Sequence, residues 1–152
     1  MWIDERGSEV LAISECRRLL ALGAKEHHHG HLGIPKTGAP LVLPVDYAVD
    51  GTAIVIQLGA GLFDHVNGQL VAFQVDSASH GVGCDSDAGD AGCRWSVLVR
   101  GLASELDGQV TPGHLPAPRV ADPGHRLVHI RSDVVTGRRL RADGDGAPGT
   151  LP

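Results

Sequence analysis

Aromatic residues are scarce: two Phe, two Trp and one Tyr in 152 residues, or 3%. So few rings cannot build the stacking platform on which single-stranded nucleic acids bind. Lysine is scarcer still, with Lys25 and Lys36 set against eleven arginines, which gather at Arg17-Arg18 and at Arg138, Arg139 and Arg141. A net charge of −5 and a pI near 5.9 leave no basic stripe for a phosphate backbone, which excludes nucleic acid as the main partner. No apolar run approaches the roughly 18 residues that a membrane span needs. The opening Met-Trp-Ile-Asp-Glu lacks the basic stretch and apolar core of a signal peptide, so the expected compartment is the cytoplasm. Cysteine numbers three: Cys16, Cys84 and Cys93. An odd count does not describe a disulfide framework, and the spacing of nine between Cys84 and Cys93 fits no common zinc pair. Three free thiols are expected, with a redox pair of Cys84 and Cys93 across the loop as the lesser reading.

What the chain does have is a 42% hydrophobic fraction and a mean hydropathy of zero, the balance of one globular domain large enough to hold a core unaided. Its organising stretch is Gly30–Val75, four short apolar runs separated by Pro, Gly and Asp turns and interrupted near Gly61. Residues 1–10 read as a flexible lead-in. From Ile13 to Leu22 the apolar positions recur at helical spacing, and Gly23 offers a stop. His27, His28, His29 and His31 follow. Imidazole is the commonest transition-metal ligand, but no carboxylate or thiol completes a set nearby in sequence, so they read as loop and strand-edge histidines and no metal is assigned.

Strands are expected at His31–Ile34, Leu41–Tyr47 and Ala53–Leu58. Turns lie at Pro35–Gly38 and Asp50-Gly51. Pro44 gives no ladder donor, which implies an edge or a bulge in the second strand. The third is apolar on both faces until Gln57, which predicts a central, doubly buried position. One helical turn is expected over Leu62–Val66, and a further strand follows the Asn67-Gly68 turn, over Gln69–Val75. A polar loop at Ser77–Gly92 leads to the longest strand candidate, Trp95–Leu106, where Arg100-Gly101 suggests a bulge or a close backbone approach. Gly108–Gly124 is a proline-rich connector before a last strand at Arg126–Ile130, and Val135–Leu140 ends the ordered part. The domain spans 11–141, and residues 142–152 read as a disordered tail. About six strands, a short N-terminal helix and one minor helical turn predict a mostly β protein built as a small closed or partly closed barrel.

The segments ECRRLLA, GHLGI, GAPLVLPVDYAVDG, IVIQLGAGLF, VAFQVD, WSVLVRG and IRSDVVTGRRL, in this order from about Leu11 to Leu140, resemble the pyridoxamine 5'-phosphate oxidase-like, FMN-binding split-barrel proteins. The branch most similar is the bacterial one with nitroimidazole-resistance-type flavoproteins. The resemblance implies a split β-barrel that pairs as a homodimer, with two small-molecule clefts between the subunits. It implies that Leu43, Pro44, Val45, Asp46 and Tyr47 lie along the edge of the flavin ring, and that Trp95 stands near the cleft. The family's flavin phosphate is held by an Arg-Thr pair, a Gly and a Lys two residues beyond that Gly.

At those places this chain has Gln57-Leu58, Gly61 and Phe63, so Gly61 alone matches. Each charge-assisted contact to a phosphate contributes roughly 1.5–3 kcal/mol. Two lost cations and a lost hydroxyl therefore weaken FMN by about two to four decades if no other group compensates. Arg100, Arg138 and Arg139 are the candidates to do so. One reading is a redox protein that binds FMN or a deazaflavin. The other is a split-barrel homodimer with a degenerate phosphate site, non-catalytic or holding another ligand such as haem, which would need one His in an apolar pocket.

Overall fold

The computed structural model describes residues 2–3, 8–26, 28–77, 93–106 and 124–140; the Ser77–Gly92 loop, the 108–124 connector and the tail fall almost wholly outside them. Nine strands and two helices are described: β1 (Trp2–Ile3), β2 (Glu9–Val10), α1 (Ile13–Glu26), β3 (His29–Ile34), β4 (Leu41–Asp50), β5 (Ala53–Leu58), α2 (Ala60–Val66), β6 (Leu70–Asp76), β7 (Arg94–Glu105), β8 (Arg126–Ile130) and β9 (Val134–Leu140).

Six strands close into an antiparallel barrel in the order β7-β6-β3-β4-β5-β8, with β8 returning to β7. The closure depends on β7 being too long for one neighbour. On one edge it pairs with β6 from Ser96 to Leu102. Its other edge is divided, with β9 taking Arg94–Arg100 and β8 taking Ala103–Glu105. Gly101 stands at the division. A Cβ built there would lie 1.8 Å from the carbonyl oxygen of Arg131, where the chain crosses from β8 to β9. The Arg131 N–H donates to the Leu102 carbonyl at 3.0 Å across the same point. Of the two expectations for Arg100-Gly101, the close backbone approach is the one realised. β4 changes neighbours differently, pairing with β3 on one edge through 41–46 and with β5 on the other through 47–50. Pro44 therefore lies where β4 has one strand neighbour among the described residues, as an edge proline should.

β5 is the central strand, with Ala53 to Ile56 and Leu58 buried and Gln57 partly so. Inside the barrel Tyr47, Ile54, Ile56, Phe73, Val97, Val99, Val128 and Ile130 are fully buried. Tyr47 and Phe73 meet edge-on at 4.9 Å, and the Tyr47 hydroxyl donates to the Leu20 carbonyl at 2.6 Å. Burial pushes the Tyr47 phenol far up from its ordinary value. α1 buries Cys16, Leu19, Leu20 and Gly23 against the sheet. It settles on β9 because Gly137 leaves room: a Cβ there would meet the Cys16 sulfur at 2.5 Å.

The helix differs from the sequence expectation at its C-terminus, running to Glu26 rather than stopping at Gly23. Gly23 is buried against the sheet, and Ala24, Lys25 and Glu26 are good helix formers that carry the helix on. Its carbonyl accepts the His28 N–H at 3.0 Å. The expected Leu62–Val66 turn is a two-turn helix, begun by Leu62 and Phe63 N–H groups donating to the Gly59 carbonyl. Strand pieces also lie in the expected lead-in, where β2 pairs with β9 and extends the sheet beyond the barrel. Arg139 anchors that extension. Almost buried, it meets Glu15 at 2.6 Å and Glu9 at 3.5 Å.

The expectation of three free thiols is corrected at Cys93, which is disulfide-bonded, with its partner outside the described residues. Pairing is possible where two thiols are brought together by tertiary structure, which sequence spacing does not register. Cys16 is free and buried, and that burial pushes its thiol pKa up.

Candidate functional site

Strand alternation decides which of the expected site residues are accessible. On β3, Gly30, Leu32 and Ile34 point into the barrel, whereas His29, His31 and Gly33 point out. Register places His29 opposite Asp46, His31 opposite Pro44 and Gly33 opposite Val42. An outward concavity of about 340 Å³ forms there, lined by His29, Pro44, Val45 and Asp46. Three of the five β4 residues expected along a ring edge thus share one hollow. Leu43 is partly buried beside it, packed on the core. Tyr47 turns inward, fully buried with its hydroxyl committed to Leu20.

The remaining expected residues do not join them. Leu58 and Phe63 are core residues, 2% and 6% exposed. Gln57 is partly buried at the end of β5, and Gly61 is exposed on α2 with open space where a Cβ would stand. Trp95 is buried, its N–H bonded to the Ser77 hydroxyl at 3.1 Å, while its carbonyl receives the Ser77 N–H at 2.9 Å. These paired bonds hold together the neck of the segment between β6 and β7. Among the described residues, one cation stands at the 57–63 turn. Arg126, opposite Leu58 in register, lies 4.9 Å over the Phe63 ring and pairs with Glu105 at 2.9 Å. Nothing in the strand pattern marked it, because the contact depends on where α2 packs.

A second and larger hollow, about 510 Å³, opens on the same outer face. One cross-strand row crosses five strands there: Val42, Gly33, Ala72, Arg100 and Val134 are successive register partners. Two small residues between bulkier ones make a trough. Pro35, Pro40, Leu70 and Val134 line it with apolar surface, and Asp133 and Arg100 supply its charges. Asp133 is occupied by Arg131 at 2.9 Å. Arg100 has no hydrogen bond or ion pair among the described residues. Leu70, Val42 and Val134 are 70%, 60% and 43% exposed, so the face carries an uncovered apolar surface.

Of the three arginines named as possible replacements for the missing phosphate cations, Arg139 is committed to the Glu9–Glu15 cluster. Arg100 and Arg138 are exposed on strands. Of the four clustered histidines, His27 lies outside the described residues. His28 adopts a left-handed backbone with φ 61°, and its Nδ1 is buried without a hydrogen-bond partner among the described residues. Among the described residues no group of three or more His, Cys, Asp or Glu is placed to hold a metal ion. No described helix is long and apolar enough to cross a membrane.

The description "Pyridoxamine 5'-phosphate oxidase" fits residues 13–139, most of the chain. No curated protein matches. Among solved structures, an FAD-binding protein from Mycobacterium smegmatis superposes with a TM-score of 0.67 at 19% identity, covering 88% of this chain and 98% of the other. An FAD-binding protein from Mesorhizobium loti gives 0.65 at 21% identity, covering 88% and 98%. A heme-binding protein from Mycobacterium smegmatis gives 0.59 at 19% identity, covering 89% of this chain and 57% of that one.

Proposed function

The chain belongs to the pyridoxamine 5'-phosphate oxidase family, and from that membership we propose that it is a flavin-nucleotide-binding redox protein. The ligand is FMN or a deazaflavin, held in clefts between the two subunits of a cytoplasmic homodimer. The observation that carries this reading is the hollow at His29, Pro44, Val45 and Asp46, set against a stretch of β4 that has one strand neighbour among the described residues. Backbone N–H and C=O groups on such an edge suit the alternating donors and acceptors of a flavin's pyrimidine rim. A bound flavin supplies the electron-accepting ring, and the redox chemistry belongs to it. The chain's part is to orient the ring, exclude water from it and give it an apolar wall. The uncovered apolar surface around Val42 and Leu70 supports the dimer, since that surface gains from burial against a second copy.

The 57–63 turn fits a flavin phosphate poorly. Phe63 is in the core, and the nearby Arg126 is already stacked and paired. That misfit favours a second reading: a split-barrel homodimer that no longer binds FMN tightly, non-catalytic or holding haem. The unpartnered Nδ1 of His28 and the likeness to FAD-binding and heme-binding proteins support keeping haem in view. A visible absorption spectrum of the untagged protein separates the two. A two-band flavin spectrum, or its recovery on adding FMN, is the expected result. A single Soret band would install haem instead, and a colourless protein that ignores added FMN and riboflavin would remove the flavin reading.

A further inference from the structure

We propose that the trough around Gly33, Ala72 and Arg100 is the anion subsite of the cleft, and that the Arg100 guanidinium, rather than the 57–63 turn, takes the ligand's phosphate. The inference rests on the flavin reading above and adds where the charged end of the nucleotide goes.

Three observations converge on it. The trough exists because Gly33 and Ala72 sit between Val42 and Arg100 in one cross-strand row, leaving a floor without bulky side chains. Its volume, about 510 Å³, is in the range of small-molecule sites. Its charge is unbalanced in one sense only. Asp133 is neutralised by Arg131, while Arg100 has no counter-ion among the described residues. An apolar trough whose guanidinium is unpaired among the described residues selects an organic anion, and a guanidinium fork matches a phosphate in particular.

The geometry also connects the trough to the ring hollow. Both open on the outward face of β3, one at His29 and the other at Gly33. Four residues of strand separate these, roughly 13 Å at about 3.3 Å per residue. That length suits a tricyclic ring joined to its phosphate by a short polyol. Arg100 stands one strand beyond Ala72, about 4.8 Å away, so its side chain reaches over the trough without rearrangement. The other candidates fare worse: Arg139 is locked by two glutamates, and Arg126 faces Glu105.

The test compares FMN with riboflavin, which differ by the phosphate alone, by fluorescence quenching on the full-length protein. Wild type should bind FMN more tightly than riboflavin. Arg100→Ala should lower FMN affinity roughly tenfold to a hundredfold while riboflavin affinity stays put, so that the preference disappears. Arg100→Lys should keep part of the preference, because it retains the charge but loses the fork. Arg138→Ala, an exposed arginine outside the trough, should behave as wild type. An Arg100→Ala protein that keeps the FMN preference overturns the proposal. Equal loss of both flavins would overturn it too, as the mark of a structural role. Wild type that binds both flavins equally overturns the subsite but leaves the flavin reading standing; wild type that binds neither sinks both.

Discussion

Gly101→Ala puts a methyl group where the barrel has none to spare. The added Cβ would lie 1.8 Å from the Arg131 carbonyl oxygen and 2.7 Å from its carbon. Both are backbone atoms, so no side-chain rotation relieves the clash. Either β7 must bend away or the β8–β9 crossing must lift. Lifting it strains the bond from Arg131 N–H to the Leu102 carbonyl and the Ala103–Ile130 register that closes the barrel. Overpacking of a rigid interior costs about 1–3 kcal/mol, and a backbone clash belongs at or above the top of that range. For a chain of this size about 3 kcal/mol lowers the melting temperature by roughly 6–12 °C. Urea unfolding followed by intrinsic fluorescence measures the loss directly. Gly33→Ala is the matched control, because its Cβ would sit at an ordinary 3.6 Å from Ala72. It should be neutral or stabilising by a few tenths of a kcal/mol, through the smaller entropy of its unfolded chain. Equal stability of Gly101→Ala and wild type, within about 0.5 kcal/mol, would refute the account of the divided strand.

The Arg18 and Arg139 guanidinium groups hold the Glu15 carboxyl at about 2, against 4.5 for the free group, despite a desolvation that opposes them. A depressed carboxylate stabilises the fold fully above its unfolded value and loses that contribution as pH falls from about 4.5 towards 2, so Glu15→Gln should flatten the acid limb of a stability–pH curve across that window. An acid limb that Glu15→Gln leaves unchanged would assign acid loss to other carboxylates. Tyr47→Phe removes a buried hydroxyl that donates to Leu20 and should cost about 1 kcal/mol in chemical denaturation. Gln57→Arg tests whether the turn can be restored as a phosphate site, and a tenfold gain for FMN with none for riboflavin is the result that would do so. The companion change Phe63→Lys should instead destabilise the protein by several kcal/mol, since it places an ammonium in the core.

Much of the barrel was legible because its signals are local. Alternation and turn residues locate β4 to β8 to within a few residues, whereas β9 reads only as the end of the ordered part, because its strand character comes from pairing with β7. Proline at 44 marks an open edge, and Arg100-Gly101 a bulge or a close approach. The candidate site was legible only in part. Pro44, Val45 and Asp46 share a hollow, yet their companion His29 looks in the sequence like any loop or edge histidine, because its place there comes from register with Asp46. Phe63 could be identified as an unusual residue for a phosphate turn, but its place in the core depends on how α2 packs on β8. The trough is invisible in the sequence for the same reason. Val42, Gly33, Ala72, Arg100 and Val134 come from five separate strands, and only sheet order makes them neighbours.

The divided edge of β7 carries a consequence for synthesis. During translation β3, β4, β5 and β6 emerge well before β8, and β5 presents an unpaired edge of Ala, Ile, Val and Leu until β8 is made. β8 must then slot between two strands already made, β5 on one side and the far end of β7 on the other. A nascent chain stalled before residue 126 is therefore an open, sticky sheet rather than a smaller barrel. Closure waits for β8, and premature termination before it should yield aggregated rather than soluble fragments.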